Sequence, residues 1–191
     1  MNDQLAAYLG RYETFQEEEL ALISGFLTPQ KYGRRALVLE QGKTCGHRYF
    51  ILNGILRIYH TNSKGVEETN LFAIENWWIT EYDSYINQIP SLNSIQAIEP
   101  TELLALSKED EPELFKKIPK LERVFRLIAE NTLIAQLRKN EIYMKQSSRE
   151  RYYALVRAIP NFAQRVPQYM IASYLNITPE YLSEIRKNPV E

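Results

Sequence analysis

Cysteine, histidine and long apolar runs are scarce in this 191-residue chain, and each scarcity excludes a class of protein. The single cysteine, Cys45, rules out an internal disulfide, a four-thiolate zinc site and a cysteine-ligated iron–sulfur cluster. The only histidines, His47 and His60, do not form an H-x-H pair, so a metal-dependent enzyme of the cupin type is not expected. No run of about 18 apolar residues and no signal-peptide pattern occur, which predicts a cytoplasmic protein without a membrane partner.

Basic residues are also unevenly distributed, although the net charge is only -1. Residues 136–191 carry nine Lys or Arg against five Asp or Glu, which is +4, whereas residues 1–135 carry fourteen against nineteen, which is -5. An anionic partner is therefore expected to bind the C-terminal part. Between Gly65 and Ser107 there is no lysine or arginine, while seven acidic residues are present.

The first half of the chain has the pattern of a small antiparallel β-roll covered by N-terminal helices. Residues 1–27 show helical spacing of leucine and isoleucine. From Tyr32 to Leu106, short apolar and aromatic runs alternate with turn signals. Gly54 and Gly65 each predict a tight hairpin, because glycine adopts a positive φ angle without steric cost.

A long helix is predicted from about Glu111 to Lys145, with Pro119 near its start or at a break before it. The helix carries two apolar stripes on different faces. The first gives the predicted dimerisation residues, which are Leu121, Val124, Phe125, Ile128, Thr132 and Ala135. The second contains Leu127, Leu133, Ile134 and Leu137. One stripe is expected to pack on the roll and the other on a second copy of the chain, giving a homodimer, with burial of both inside one chain as the alternative.

The stretch QYMIASYLNITPEYLSEIRK, from Gln168 to Lys187, has the spacing of a helix-turn-helix. Ala172 is small where a second helix must cross, and Asn176 is the turn residue, because asparagine tolerates a left-handed conformation. Thr178 is a good N-cap and Pro179 a good first helical residue. Upstream, Ser147 and Glu150 form a capping-box pattern that opens another helix, which Pro160 ends.

If the second helix enters a major groove, its outward residues near the N-terminus contact the bases and the backbone. Glu180 is suited to accept a hydrogen bond from the cytosine amino group. The residues suited to phosphate contacts are Gln168, Ser173, Arg186 and Lys187. The predicted DNA-binding residues are Gln168, Ser173, Thr178, Pro179, Glu180, Ser183, Glu184, Arg186 and Lys187. For each of them a solvated helix face is the alternative.

The combined pattern resembles the Crp/Fnr family of bacterial transcription regulators. The resemblance rests on YFILNGILRIYHTNSKGVEETNLF for the roll and on SSRERYYALVRAIPNFAQRVPQYMIASYLNITPEYLSEIRKN for the C-terminal end. It implies an α+β protein with a jelly-roll-like β-roll of the cyclic-nucleotide-binding fold, a long dimerisation helix and a helix-turn-helix that binds double-stranded DNA. The expected segments are 1–110, 111–146 and 147–191. Two departures are Glu184, where the family often has arginine, and the lack of room for winged hairpins.

The family's cyclic-nucleotide cassette corresponds to residues 77–97 of this chain. Glu81 matches the ribose-binding glutamate, but Thr80 replaces a glycine, and Ser91 or Leu92 stands in place of the phosphate-binding arginine. A phosphate without its cation loses a hydrogen bond worth about 1.5–3 kcal/mol, so cyclic AMP is not expected to bind unless Arg48 or Arg57 compensates. The candidate pocket for a different small-molecule effector contains Trp78, Glu81, Tyr82, Tyr85 and Ser91. Ordinary core packing of these aromatic residues is the alternative.

The sequence also bears on two function classes other than a DNA-binding regulator. An enzyme is not predicted, because no nucleophile elbow, glycine-rich phosphate loop or metal-ligand cluster occurs; no catalytic residue, metal or cofactor is assigned. A small-molecule-sensing or interaction module with a non-functional DNA head stays open, since Glu184, the missing wings and the modest positive charge all favour it.

Overall fold

The computed structural model describes residues 2–188, so the last three residues of the predicted 147–191 segment lie outside the described residues. Its helices are α1 (Asp3–Leu9), α2 (Glu17–Gly25), α3 (Tyr82–Asn87), α4 (Glu111–Lys117), α5 (Lys120–Lys145), α6 (Ser148–Ala158), α7 (Phe162–Arg165), α8 (Gln168–Leu175) and α9 (Pro179–Lys187). Its strands are β1 (Leu27–Tyr32), β2 (Leu37–Leu39), β3 (His47–Asn53), β4 (Leu56–Thr61), β5 (Glu67–Ala73), β6 (Trp78–Ile79), β7 (Ser94–Ala97) and β8 (Thr101–Ser107). The predicted α+β class is confirmed.

The described strands form two four-stranded sheets, with the orders β1-β8-β3-β6 and β2-β7-β4-β5. Strand β8 pairs antiparallel with both β1 and β3, and β7 pairs antiparallel with β2. Fully buried side chains occur in both sheets, and those of Phe50, Ile51, Leu103 and Leu106 belong to β8 and β3, the two middle strands of the first sheet. The predicted antiparallel roll is therefore present.

The two turn glycines serve different purposes. The predicted hairpin at Gly54 is wrong, because β3 and β4 belong to different sheets and the chain turns a corner there. Gly54 has a φ of +99°, and a Cβ at this position would lie 2.4 Å from Thr101 Oγ1, so only glycine fits the corner. Gly65 does lie in a hairpin between β4 and β5, where the Asn62 amide donates to the Val66 carbonyl at 2.9 Å.

The chain divides into two compact units. The first comprises residues up to Ile58 together with Phe72–Asn131, and the second comprises Tyr59–Leu71 together with the residues from Thr132 onward. The tip of the β4–β5 hairpin thus belongs to the same unit as the C-terminal helices. The long helix α5 contributes its first half to one unit and its second half to the other.

The first unit has an apolar core to which α1, α2, β1, β3, β8, α4 and α5 contribute. Four of the six predicted dimerisation residues, Leu121, Val124, Phe125 and Ile128, are buried in this core of their own chain. Their assignment to a dimer interface is wrong, because the first stripe of α5 is the one that packs on the roll side. Of the remaining two, Thr132 is half-buried and Ala135 is exposed.

The second stripe of α5 is the exposed one. Leu133 is 59 % exposed, Ile134 43 % and Leu137 56 %. The chain interrupts the predicted long helix at Ile118 and Pro119, between α4 and α5, as expected for a proline that cannot donate an amide hydrogen bond.

In the second unit, the predicted helix start at Ser147 and helix stop at Pro160 are both confirmed. Ser147 Oγ accepts from the Glu150 amide at 3.3 Å, and Glu150 Oε2 accepts from the Ser147 amide at 2.7 Å, which completes the capping box. Helix α6 ends at Ala158, two residues before Pro160. Buried side chains of α7, α8 and α9 close this small core: Phe162, Met170, Ile171, Ala172, Leu175, Leu182 and Ile185.

Candidate nucleic-acid interface

Helices α8 and α9 are joined by a short turn whose geometry follows from three residues. Asn176 adopts the left-handed conformation, with φ 54° and ψ 49°, and ends α8. The Ile177 amide donates to the Ala172 carbonyl at 3.0 Å, which closes the turn against α8. Thr178 Oγ1 then accepts from the Tyr181 amide at 3.2 Å and caps α9, with Pro179 as its first residue. The turn and cap predictions are confirmed.

The inner faces of the two helices pack together. Ala172 is fully buried, as are Leu182 and Ile185 on the facing side of α9. Burial of Leu182 and Ile185 alone stabilises the pair by about 1.5–3 kcal/mol for each side chain. This packing fixes which face of α9 points to solvent.

The outward face of α9 is polar and exposed. Of the predicted DNA-binding residues, seven are exposed: Gln168, Thr178, Pro179, Glu180, Glu184, Arg186 and Lys187. Ser183 is half-buried, and its Oγ donates to the Pro179 carbonyl at 3.0 Å, one turn back along the helix. Within α9, the charges of Glu180 and Glu184 balance those of Arg186 and Lys187.

Sequence reasoning missed one exposed aromatic residue on this face. Tyr181 is 44 % exposed in the first turn of α9, immediately after Glu180. In the sequence, Tyr181 falls outside the spacing of the buried residues Leu182 and Ile185, and this spacing could have identified it as exposed. A ring with a hydroxyl tip can contact both an apolar base edge and a phosphate oxygen.

Ser173 is placed differently from the other predicted residues. Its Oγ accepts from the Thr69 amide at 2.9 Å and donates to the Glu67 carbonyl at 3.2 Å. Thr69 and Glu67 belong to β5, in the hairpin tip that forms part of the same compact unit. The hydroxyl is therefore bonded to the backbone of the chain itself.

A stack of cations and tyrosines joins the end of α5 to α6 and α8, and the sequence did not reveal it. Lys139 Nζ lies 4.1 Å from the Tyr174 ring centroid, and the Arg151 guanidinium lies 4.1 Å from that of Tyr143. Lys139 Nζ also donates to the Asn70 carbonyl at 2.8 Å. Burial lowers the pKa of Lys139 to about 8 and raises the pKa of Tyr174 to about 12. These contacts join the C-terminal end of α5 to α6 and to α8, the first helix of the α8–α9 pair.

The first unit contains the five residues of the predicted effector pocket, and they have separate roles. Glu81 caps α3 by accepting from the Ser84 amide at 3.0 Å, and it also accepts from Ser91 Oγ at 3.3 Å. Trp78 is partly buried and packs against the apolar core, with its ring centroid 5.0 Å from that of Phe125. For Trp78 this packing agrees with ordinary core packing, the alternative to an effector pocket.

Tyr85 is fully buried and Tyr82 is partly exposed. The Arg48 guanidinium lies 4.5 Å from the Tyr85 ring centroid and 5.7 Å from that of Tyr82. An open groove of about 720 Å³ is lined by Tyr82, Arg48, Ile86, Phe115, Phe125, Arg126 and neighbouring residues of α5. Tyr82 is the member of the predicted set that lines this groove.

The two arginines that could replace the missing phosphate ligand already have partners. Arg48 Nε donates to Glu111 Oε1 at 2.5 Å, and both side chains are nearly buried. Burial alone would lower the pKa of Arg48, but Glu111 and the tyrosine rings outweigh it, and the pKa is raised. Arg57 is buried and donates from Nε to Gln96 Oε1 at 2.9 Å.

The described residues contain no group of three or more His, Cys, Asp or Glu side chains arranged to hold a metal ion. Over the same part of the chain, no helix has both the length and the apolar character needed to cross a membrane.

Comparison with known proteins agrees with the roll and the helices that follow it. Residues 29–117 match the model of the cyclic nucleotide-binding domain family. No curated protein matches the sequence. The chain is similar to the solved structure of the catabolite activator protein of Thermus thermophilus, at 21% identity over 94% of this chain and 85% of that one, with a TM-score of 0.58.

Two other solved structures have higher TM-scores. The c-di-GMP-responsive global regulator CLP of Xanthomonas campestris is 16% identical over 90% of both chains, with a TM-score of 0.71. FixK2 of Bradyrhizobium japonicum is 16% identical over 84% of this chain and 83% of that one, with a TM-score of 0.68. The chain therefore has the fold of the catabolite-activator type: an antiparallel roll followed by a long helix and further helices.

Proposed function

We propose that the chain is a homodimeric, sequence-specific DNA-binding transcription regulator of the Crp/Fnr type. The observation that carries the proposal is the α8–α9 pair, whose turn, cap and buried faces present the polar face of α9 to solvent. In a helix-turn-helix, residues near the N-terminus of the second helix contact base edges in the major groove. Residues 1–110, 111–146 and 147–191 then act as effector-type roll, dimerisation helix and DNA-binding head.

The second, exposed stripe of α5 supports the dimer. Leu133, Leu137 and Met144 are all more than half exposed, and with Asn140 they recur at alternating steps of four and three residues. This spacing keeps one seam on the surface of a helix, as in two-stranded coiled coils. The same helix of a second copy is the partner that fits it.

The dimer interface is tested by sedimentation equilibrium of two variants. Leu137→Glu places a charge in the seam and should yield a monomer, because a buried unpaired carboxylate is costly. Ile142 is 38 % exposed and lies on the opposite face of α5, so Ile142→Glu should stay dimeric. Monomeric wild-type protein, or equal effects of both substitutions, would remove the seam from the proposal.

The DNA-binding function is tested by selection from a random duplex pool with purified protein at fixed moderate salt and no added ligand. Enrichment of a pseudo-palindrome with half-sites about 34–36 Å apart would establish a dimeric reader that needs no effector. Weak, salt-sensitive retention without enrichment would favour a sensing module whose head does not read DNA. The balanced charge of α9 favours this second function, because the helix carries no net positive charge to attract phosphates.

Base reading by Glu180 is tested on the enriched site. Glu180→Ala should relax specificity at one base position, with a change of about 1–3 kcal/mol in discrimination. Glu184, one turn further along α9 and also exposed, supplies the matched variant. Glu184→Arg should tighten binding to every sequence and steepen the salt dependence, because it replaces an anion near the phosphates with a cation.

The roll is proposed not to bind cyclic AMP. The supporting contacts are those of Glu81, which is engaged by Ser84 and Ser91, and of Arg48, which is paired with Glu111. A cyclic phosphate would have to break the Arg48 pair to gain a cation. Titration calorimetry at micromolar protein should show no saturable heat with cyclic AMP; saturable binding would overturn this part of the proposal.

A further inference from the structure

Ser173 occupies a position on α8 where two hydrogen bonds tie it to a neighbouring strand. Strand β5 is the last strand of the sheet β2-β7-β4-β5, so one of its sides faces away from β4. The Ser173 hydroxyl bridges the Thr69 amide and the Glu67 carbonyl of β5, at 2.9 and 3.2 Å. It thereby takes the place that a further strand would fill at this edge.

A second tie reaches the same strand from α5. Lys139 Nζ donates to the Asn70 carbonyl at 2.8 Å, one residue beyond Thr69. Lys139 itself lies over the ring of Tyr174, the residue next to Ser173 on α8. The hairpin tip, the end of α5 and the first helix of the DNA-binding head are therefore connected through Thr69, Asn70, Lys139 and Ser173.

We propose that Ser173 is a positioning residue that docks the DNA-reading helix pair on the edge of β5, and that it does not contact phosphate. A hydroxyl has one hydrogen to donate. Ser173 donates it to the Glu67 carbonyl, so a phosphate oxygen could accept it only if that bond broke. The phosphate contact that the sequence predicted for Ser173 is made instead by exposed residues such as Gln168.

The docking has a consequence for DNA binding that rests on the proposed function. In a dimer, two heads must reach two half-sites at one time, and the second contact gains from the effective concentration that a fixed head orientation provides. A head that turns freely still binds a single half-site equally well. Loss of the Ser173 bonds should therefore weaken binding to the palindrome and leave binding to a half-site unchanged.

Three variants separate this role from its alternatives: Ser173→Ala removes the bonds, Ser173→Thr keeps a hydroxyl, and Gln168→Ala removes an exposed predicted phosphate contact. The hydrogen-exchange rate of the Thr69 amide, measured in the full-length protein without DNA, reports directly whether its bond to Ser173 is formed. Ser173→Ala should speed exchange by about 2- to 10-fold, which corresponds to the net worth of one hydrogen bond. Ser173→Thr should restore protection, and Gln168→Ala should leave it at the wild-type value.

Binding to the selected palindrome and to its isolated half-site supplies the second readout. Ser173→Ala should weaken palindrome binding by about 3- to 10-fold, with half-site affinity within about twofold of wild type. Gln168→Ala should weaken both. An unchanged Thr69 exchange rate, a parallel loss on the half-site, or tighter palindrome binding by Ser173→Ala would each overturn the positioning role. If the wild-type protein bound no duplex, the proposed function would fail, and Thr69 exchange would alone decide the docking.

Discussion

Removing the carboxylate of Glu111 gives the sharpest test of how the first unit is held together. Arg48 of β3 and Glu111 of α4 form an ion pair at 2.5 Å, with 11% and 9% of their side chains exposed. The Arg48 guanidinium also lies 4.5 Å from the Tyr85 ring centroid and 5.3 Å from that of Phe125. The pair therefore connects β3, α3, α4 and α5, and the variant Glu111→Gln leaves Arg48 charged, buried and without its anion.

The expected magnitude follows from this burial. Breaking a buried pair by removing one partner costs about 3–5 kcal/mol, because the remaining charge stays desolvated. The glutamine oxygen can keep one hydrogen bond, and the long 3.9 Å contact of Lys108 Nζ with Glu111 adds little, because 30% of the lysine side chain is exposed to solvent. We therefore expect Glu111→Gln to lower the free energy of unfolding by about 3 kcal/mol, or the melting temperature by about 6–12 °C.

A matched surface pair provides the control. Lys117 and Glu113 lie 3.0 Å apart on α4, with 45% and 63% of their side chains exposed. Solvent screens this pair, so Glu113→Gln should change stability by no more than about 0.5 kcal/mol.

The assay is urea unfolding followed by circular dichroism, repeated for the double variant Arg48→Met/Glu111→Leu. Replacing both charges with apolar side chains removes the uncompensated cation, so the double variant should be close to wild type and far above Glu111→Gln in stability. A loss below about 1 kcal/mol for Glu111→Gln, or equal effects of Glu111→Gln and Glu113→Gln, would refute the reasoning that burial decides the strength of the pair.

Three further predictions concern Gly54 at the corner, the cap of α9 and the half-buried Lys139. Gly54→Ala should lower the free energy of unfolding by about 2 kcal/mol or more, since the new Cβ would lie 2.4 Å from Thr101 Oγ1 at a φ of +99°. The control Gly46→Ala has open space around its Cβ and should change the free energy of unfolding by less than about 1 kcal/mol. Thermal melts compare the two variants. Thr178→Ala removes the cap of α9 and should cost about 1 kcal/mol in urea unfolding, an effect that an unchanged midpoint would contradict. Burial lowers the pKa of Lys139 from 10.5 to about 8. Between pH 8 and 10.5 the folded protein therefore binds fewer protons than the unfolded chain. The stability of wild type relative to Lys139→Met should rise across this pH range. A difference that stays flat across this range would show that the lysine is solvated.

The helix pair was predictable from sequence because its determinants are local. Asn176, Thr178 and Pro179 act within one or two turns of their own positions, and the capping box at Ser147 does so as well. The break at Pro119 belongs to the same class, since a missing amide hydrogen interrupts any helix interior. For such residues the neighbours in the chain supply the interaction.

Residues whose role depends on distant partners were assigned less well. Leu121 and Leu137 lie on one helix and are both apolar, and only the roll decides that the first is buried in the core while the second is exposed. Gly54 follows a strand as a hairpin glycine does, but its corner is set by the approach of β8. Sequence spacing reports which residues share a face, and it does not report which face meets which partner.

The spacing of the α8–α9 helix pair, the roll pattern and the charge asymmetry could all be predicted from sequence, because these properties depend on residue type and on neighbours a few positions away. The tertiary structure decided that Ser173 bonds to β5, that Arg48 pairs with Glu111 across 63 residues, and that Lys139 bonds to Asn70 across 69 residues. These contacts join residues that are distant in the chain. Their existence depends on how sheets and helices fold back on one another, which no local pattern encodes.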